Sequence, residues 1–491
     1  MTPAAVANDI ANDLADPRLW HDMSFINGQW TAGAETFEVF NPANGLSLGR
    51  VAALSGAQSA RAVDAASEAF AGWAGALPQE RAQVLRRWYE LVLENREDLA
   101  VMMTDEQGKP LSEARGEIDY AASFLEFYAE EARRPNIESV TSHLPNAEME
   151  LWREPCGVAA LITPWNFPSA MLMRKAAAAF AAGCTVVAHP SAETPRSALA
   201  LAELADRAGL PKGVFNVVTG VAPVVVEPWL DDARVRVLSF TGSTEVGRLL
   251  YRRSADTVKR LVLELGGHAP FILFADADQD TAIDEAIKAK FATSGQDCLG
   301  ANRFFVERSV YDRFCTRFTE STRKLTIGAG RDDCDLGPLM NAAAIAKQVE
   351  QVEDAVARGA RVLTGGKVSA LGPLFFDPTI LADVPADAKI FREETFGPVA
   401  AIAAFDSEDE VVTRANDTEY GLIAYLHSND PRRIHRISRA LDFGMVAVNR
   451  TKVTGAPIPF GGNKQSGLGR EGARFGLEAF TDIKYVCRDW A

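Results

Sequence analysis

No C-x-x-C pair occurs anywhere in this chain, and its six cysteines (Cys156, Cys184, Cys298, Cys315, Cys334 and Cys487) are scattered without paired spacing. Their dispersal argues against a disulfide scaffold or a zinc site and fits a reducing compartment. Histidine is equally scarce, six residues in 491 with no H-E-x-x-H, so no metal centre is expected. Basic residues are outnumbered, 51 Lys and Arg against 66 Asp and Glu for a net charge of -15, which excludes nucleic acid and anionic membrane as partners. No apolar run approaches the roughly 20 residues of a membrane span, since the Ala-rich stretch near 176–183 is too short. Residues 1–20 have neither a basic start nor a continuous apolar core, because Asp9, Asp13 and Asp16 interrupt the alanines. No signal peptide is expected, and the chain is expected in the cytoplasm.

What is present is ample apolar material, 47% of 491 residues, enough for two or three domains. Short β-like runs separated by turns (Asn27-Gly28, Asn41-Pro42, Asn44-Gly45) occupy 24–53. Helical periodicity then takes over, with Val84, Leu85, Trp88, Leu91 and Val92 on one face. Tyr120, Phe124, Phe127 and Tyr128 make a second stripe, read like the first as core. A β-like hairpin around 135–153 turns at Pro145-Asn146 and projects as an arm. From 157 to 265 five apolar strands alternate with helices near 169–182, 195–208, 222–230 and 244–254. That alternation predicts a parallel sheet covered on both faces, binding ligands at the carboxyl ends of its strands. A second alternating region over 270–450 predicts another α/β domain, with strands at 270–274, 303–306, 361–363, 399–404 and 446–449. The final run, Phe480 to Val486, reads as a strand that needs a partner, which the hairpin could supply.

The chemistry is expected at Ser294-Gly295-Gln296-Asp297-Cys298-Leu299-Gly300, where a thiol sits on a glycine-flanked turn between a helical and a β-rich run. A sulfur nucleophile needs such a turn, rigidly carried yet open to an approaching carbonyl. Taken alone, Cys298 is also what a small buried hydrophobe looks like. Thr163-Pro164-Trp165-Asn166-Phe167-Pro168 follows the first strand of the parallel region, with two prolines stiffening the presentation of Trp165 and Asn166. An Asn amide beside a sulfur nucleophile can donate to the oxyanion that forms on attack. The next helix carries Arg174 and Lys175, and a nearby ammonium could lower a thiol pKa. Phe240 to Gly247 opens a helix with small residues, a place for backbone N–H groups to meet an anion, although it is not G-x-G-x-x-G. Glu264-Leu265-Gly266-Gly267 puts a carboxylate at the boundary of the two α/β regions, suited to activating water. Glu393 to Pro398 could hydrogen-bond a ribose, and Pro459-Phe460-Gly461-Gly462 and Ser466 to Glu471 are loops suited to close packing on a ligand.

Together these motifs resemble the aldehyde dehydrogenase superfamily over nearly the whole chain. The resemblance implies an α/β fold of three parts: a Rossmann-like cofactor domain (1–133 and 153–263), an α/β catalytic domain (264–470) and a small β oligomerisation arm (134–152 and 471–491). It implies Cys298 as nucleophile, Glu264 as general base, Asn166 as oxyanion donor with Lys175 as its helper, and Glu471 as a second acid relaying protons. Trp165, Gly242, Ser243, Leu265, Glu394 and Phe396 become contacts for NAD or NADP. The implied reaction is oxidation of an aldehyde to a carboxylic acid through a thiohemiacetal and a thioester on Cys298, in a homodimer or homotetramer.

Within the superfamily the chain is most similar to succinate-semialdehyde dehydrogenases, on Trp152 to Pro155, Met171 to Lys175, Ala301-Asn302-Arg303 and Ile483-Lys484-Tyr485. That branch implies Arg174, Arg303 and a hydroxyl at Thr454 as the holders of a distal substrate carboxylate, for which an arginine fork is well shaped. An ω-carboxy semialdehyde such as succinate semialdehyde is therefore the expected substrate, with an uncharged aliphatic or aromatic aldehyde as the alternative. His189 stands where the family carries Lys against the adenosine ribose, and Ala192 where an acid disfavours a 2′-phosphate. The pair predicts that NADP is tolerated, with His189 retaining a donor. Gly300 leaves no second cysteine beside Cys298. A CoA-acylating relative usually lacks the glutamate that Glu264 supplies, and a non-catalytic binding protein would have no use for the whole set of reacting groups.

Overall fold

A computed structural model describes residues 13–134 and 136–490. Most of the amino-terminal stretch read above for a leader, residues 1–12, lies outside them. Asn27 (φ 53°) and Gly28 (φ 71°) turn β1 (Ser24–Ile26) onto β2 (Gln29–Thr31), as a tight hairpin with two left-handed residues should. β3 (Glu35–Phe40) and β4 (Ser47–Ala53) pair only with each other. Helices α1 (Gly56–Ala74), α2 (Pro78–Glu94), α3 (Arg96–Gln107) and α4 (Leu111–Glu131) follow. Leu85, Trp88 and Val92 of α2 and Phe124 and Tyr128 of α4 are buried, as their spacing requires.

From Val158 onward strand and helix alternate: β7 (Val158–Thr163), α5 (Pro168–Ala182), β8 (Thr185–Pro190), α6 (Pro195–Arg207), β9 (Phe215–Val217), α7 (Ala222–Asp231), β10 (Val235–Thr241), α8 (Thr244–Ser254) and β11 (Arg260–Glu264). β7 and β8 are buried at every position, which is why they read as unbroken apolar runs. Proline opens α5 and α6, where a missing N–H costs nothing, and left-handed Gly183 (φ 97°) ends α5. The five strands pair in parallel in the order β11-β10-β7-β8-β9. The sheet is not parallel throughout, because β1 adds antiparallel beside β9 and β19 (Gly467–Leu468) antiparallel beside β11. Both edges come from segments far away in sequence, a pairing no local pattern reveals. Strand order reverses at β7, so a crevice opens at the carboxyl ends of β7 and β10.

The second α/β unit contains β12 (Ala269–Leu273), α9 (Gln279–Phe291), β13 (Ala301–Glu307), α10 (Tyr311–Thr322), α11 (Ala342–Ala357), β14 (Arg361–Thr364), β15 (Thr379–Ala382), β16 (Val399–Phe405), α12 (Glu408–Asn416), β17 (Ile423–His427), α13 (Pro431–Ala440) and β18 (Met445–Val448). Its sheet runs β14-β15-β16-β13-β12-β17-β18, with only β14 antiparallel to its neighbour. β15 and β17 are absent from the expected strands. Both are short apolar runs, one behind Asp377-Pro378 and the other behind Gly421, with too few residues to show a period. Phe271, Phe304 and Phe318 pack on one face of this sheet and Ile272, Phe305 and Phe391 on the other.

β5 (Ile137–Val140), β6 (Ala147–Pro155) and, beyond α14 (Ala473–Glu478), β20 (Thr481–Asp489) form a third sheet. The terminal strand finds its partner within the same chain, in register from Thr481 opposite Pro155 to Asp489 opposite Ala147. Between the two large sheets the chain crosses once directly: β11 ends at Glu264, Leu265–His268 spans the gap, and β12 begins at Ala269.

Candidate active site

Cys298 lies on the connection from α9 to β13, and that connection is strained. Thr293 (φ 50°), Ser294 (φ 56°) and Gly295 (φ 73°) are left-handed in succession, a conformation that persists only where surroundings enforce it. The enforcing contacts are specific. The Thr293 N–H donates to both Glu113 oxygens at 2.9 and 3.0 Å, the Ser294 hydroxyl donates to the Gly337 carbonyl at 2.9 Å, and Gln296 Oε1 accepts from the Met340 N–H at 2.8 Å. Backbone closes in as well, since a Cβ on Gly295 would lie 2.3 Å from the Gly397 carbonyl oxygen and one on Gly267 only 2.2 Å from that of Cys298. Burial pushes the Cys298 thiol well above the usual range, and the carboxylates of Asp297 and Glu394 push it further. The resting sulfur is therefore protonated and needs a base.

A cavity of about 1170 Å³ opens at the carboxyl ends of β7, β10 and β11 and takes in Cys298, Glu264, Asn166, Arg174 and Thr454. Asn166 is buried in the turn after β7, and its Nδ2 donates to the Gln296 carbonyl at 3.0 Å. An amide NH₂ has a second hydrogen, which remains for another acceptor. Glu264, the last residue of β11, is 2% exposed, and neither oxygen has a hydrogen-bond partner among the described residues. Burial raises its pKa well above the ordinary carboxylate value and the neighbouring Glu471 raises it further, against the pull of Lys175 and Arg174. A carboxyl so placed is a far stronger base than one in water.

Trp165, Gly242, Ser243, Leu265, Glu394 and Phe396 line the same cavity. Trp165 and Phe396 meet edge to face at 5.6 Å, with Phe396 itself left-handed at φ 50°. Glu394 accepts the Gly267 N–H at 2.8 Å. Ser243 caps α8 by accepting the Val246 N–H at 3.3 Å, and Gly242 has no room for a side chain because a Cβ would lie 2.4 Å from the Phe240 ring. A helix N-terminus reached through a bare backbone, at the crevice of a parallel sheet, fits a pyrophosphate.

Five expected site residues lie outside that cavity. Lys175 does not stand beside Asn166 as its helper; its ammonium pairs with Glu471 and donates to Thr241 Oγ1 at 2.7 Å. Glu471 also accepts from the Ser239 hydroxyl at 3.0 Å, so this pair backs onto Glu264. Arg303 is corrected as well. Its guanidinium donates to the His268 carbonyl at 3.0 and 3.2 Å and to the Arg414 and Ala415 carbonyls at 3.0 and 2.9 Å, capping the end of α12. It holds structure rather than substrate, because the last carbonyls of a helix need donors and this side chain supplies them outside the cavity. His189 ends β8, and its Nδ1 is 2.9 Å from the Val218 carbonyl, so the hydrogen there is already committed. Burial lowers its pKa, leaving a neutral ring whose Nε2 accepts rather than donates, contrary to the expected donor. Ala192 is exposed on the following turn, where Glu193, bonded by the Ser191 hydroxyl, restores a nearby negative charge that the reading of Ala192 alone overlooked.

Arg174 has two faces. Its Nη2 donates to the Tyr120 hydroxyl at 2.7 Å and its guanidinium lies 4.0 Å from the centre of the Phe460 ring, while among the described residues Nε and Nη1 have no hydrogen-bond partner and Nη1 lies 3.8 Å from Glu471 Oε2. Tyr120 belongs to the stripe read as core, yet it is half-buried and lines the cavity. Sequence reading also missed Glu113, Glu117 and Lys109. The signal was available in the spacing of Glu113, Glu117 and Tyr120, which puts all three on one face of α4.

The sequence matches the model of the Aldehyde dehydrogenase family over residues 30–486. It is 52% identical to a protein of Halomonas elongata named aspartate-semialdehyde dehydrogenase (non-phosphorylating), over 97% of this chain and 98% of that one. It is 49% identical to the Escherichia coli succinate-semialdehyde dehydrogenase [NADP(+)], over 96% and 99%. The crystal structure of a succinate-semialdehyde dehydrogenase from Burkholderia pseudomallei superposes with a TM-score of 0.96 at 50% identity, covering 97% of this chain and 99% of that one.

Proposed function

The chain belongs to the aldehyde dehydrogenase family, and from that premise we propose that it oxidises an ω-carboxy semialdehyde to the corresponding dicarboxylic acid. The observation that carries this reading is Arg174, fully buried in the cavity of Cys298, with Nε free of any hydrogen bond among the described residues and Nη1 held only by a loose ion pair, 3.8 Å from Glu471 Oε2. A buried guanidinium with hydrogens left over is costly unless a ligand accepts them, and a carboxylate is the acceptor that matches its charge. Thr454 lies in the same cavity and offers a hydroxyl to that carboxylate.

In this reading Glu264 takes the thiol proton and the Cys298 sulfur attacks the aldehyde carbon. The oxyanion is held by Asn166 Nδ2 and the Cys298 backbone N–H. Gly242, Ser243, Trp165, Leu265, Glu394 and Phe396 would hold NAD or NADP, which would supply the hydride acceptor. As the oxyanion collapses, the C–H bond of the adduct breaks with loss of hydride and a thioester is left on Cys298. Lys175 and Glu471 first carry the thiol proton away from Glu264, which then deprotonates the water that attacks that thioester and releases the acid. His189 as a neutral acceptor, with Glu193 near it, favours a ribose hydroxyl over a 2′-phosphate, so NAD is preferred to NADP. Residues 1–133 and 153–263 serve the dinucleotide, 264–470 carry the nucleophile, and 134–152 with 471–491 join subunits in a homodimer or homotetramer. A catalytic thiol among dispersed cysteines suits the reducing cytoplasm.

The test is an aldehyde panel run with both dinucleotides. Succinate semialdehyde and its one-carbon neighbours should be preferred to uncharged aldehydes of equal length, NAD to NADP, and Cys298→Ala should produce no reduced dinucleotide. Arg174→Ala should raise KM for the carboxylated substrates about 100-fold, the worth of a buried charged pair of hydrogen bonds, and leave uncharged aldehydes within about threefold. Equal losses on both substrate classes would refute the carboxylate assignment.

A further inference from the structure

In the cavity wall lies a charge pair that the proposed mechanism does not use, with Glu117 among the lining residues and Lys109 behind it. The Lys109 ammonium has 0% side-chain exposure and donates to Glu117 Oε2 at 2.6 Å and to the backbone carbonyl of Asn166 at 2.7 Å. It also stands 4.2 Å from the centre of the Phe167 ring. The other Glu117 oxygen accepts the N–H groups of Ser169 and Ala170 at 2.9 and 3.1 Å, the free donors at the start of α5. The turn that carries Asn166 is thus gripped at its carbonyl and again three and four residues later. With the side-chain amide tied to Gln296, little freedom is left to this residue.

A buried ion pair is a poor source of stability, because desolvation cancels most of its attraction. Capping α5 would require only the carboxylate, yet Lys109 is brought in from the end of α3 and spends a second hydrogen on the one carbonyl that belongs to Asn166. We propose that Glu117, acting through Lys109, is a positioning residue that sets the angle at which Asn166 presents its free amide hydrogen to the oxyanion. This rests on the reading of Asn166 as the oxyanion donor.

A double-mutant cycle on the first-turnover burst of reduced dinucleotide, measured at saturating substrate, tests it in the full-length enzyme. Glu117→Gln keeps an oxygen for the α5 N–H groups and loses the charge that holds Lys109. It should slow the burst about 10-fold, and Asn166→Ala about 100-fold or more, the scale of lost alignment and of a lost oxyanion donor. In the Asn166→Ala background Glu117→Gln should cost less than about twofold, within the range of ordinary additivity error. If it costs the same factor in both backgrounds, or lowers thermal stability without slowing the burst, the positioning role is wrong. Should Asn166→Ala itself burst at the wild-type rate, the donor reading fails instead. Where Glu117→Gln does not fold, Lys109→Met combined with Glu117→Leu replaces both charges by apolar groups and is put through the same cycle with the same expectations.

Discussion

At Glu264 two demands conflict, because a carboxyl with 2% exposure and no hydrogen-bond partner among the described residues is held in a place that disfavours its charge. Its pKa is raised, so the deprotonated form appears at higher pH than for a carboxylate in water, and a step needing that form speeds up as pH rises through the raised value. Replacing Glu264 by Gln should reduce steady-state turnover about 10²- to 10⁴-fold, the range of general-base catalysis, because both the attack of the thiol and the hydrolysis of the thioester lose their base. Rapid mixing checks this as a first turnover that is itself slowed, yields at most one reduced dinucleotide per subunit and is followed by near arrest. The sign for stability follows from the same shift. A group whose pKa is raised on folding stabilises the fold at low pH and loses that contribution as pH climbs. The melting temperature of the Gln variant should therefore equal or exceed that of the wild type at pH 8, and the difference should vanish near pH 4.

Elements of one kind were legible in the sequence and those of another were not. β7 and β8 are buried on both faces and announce themselves as apolar runs, and α5 between them opens on Pro168 and stops at Gly183. β17 was invisible at five residues although it lies beside β12 and its Tyr425 hydroxyl donates to the Leu299 carbonyl at 2.9 Å, next to the thiol. The site was legible where a motif concentrates it, around Asn166, Glu264 and Cys298. It was hidden where a helix delivers side chains at three- and four-residue intervals, as α4 does with Glu113, Glu117 and Tyr120. Arg303 shows the opposite failure, a residue assigned to substrate because of its neighbours in sequence and found capping α12. Arg303→Met should then leave KM for a carboxylated aldehyde within about twofold. It should lower unfolding free energy by about 2–4 kcal/mol, the cost of several buried carbonyls left without donors, as read by denaturant melts.

On the scale of the whole molecule, distant segments close the edges of the sheets. β20 covers β6 along its full length, and without it β6 would present a bare row of backbone groups. A chain ending at Phe480 should lose several degrees of melting temperature and, where the third sheet joins subunits, should run as smaller species in light scattering at low concentration or aggregate at high concentration. The isolated active-site groups should still react with a thiol-directed alkylating agent at Cys298.

Leu265–His268 is the short bridge between the two large sheets, with Glu264 at one bank and, through the close approach of Gly267 to its carbonyl, Cys298 at the other. Glu264 and Cys298 thus hang from different sheets. In the proposed mechanism, a widening of the gap between those sheets would carry the proton acceptor away from the acyl group, so dinucleotide exchange and thioester hydrolysis would share a single mechanical coordinate.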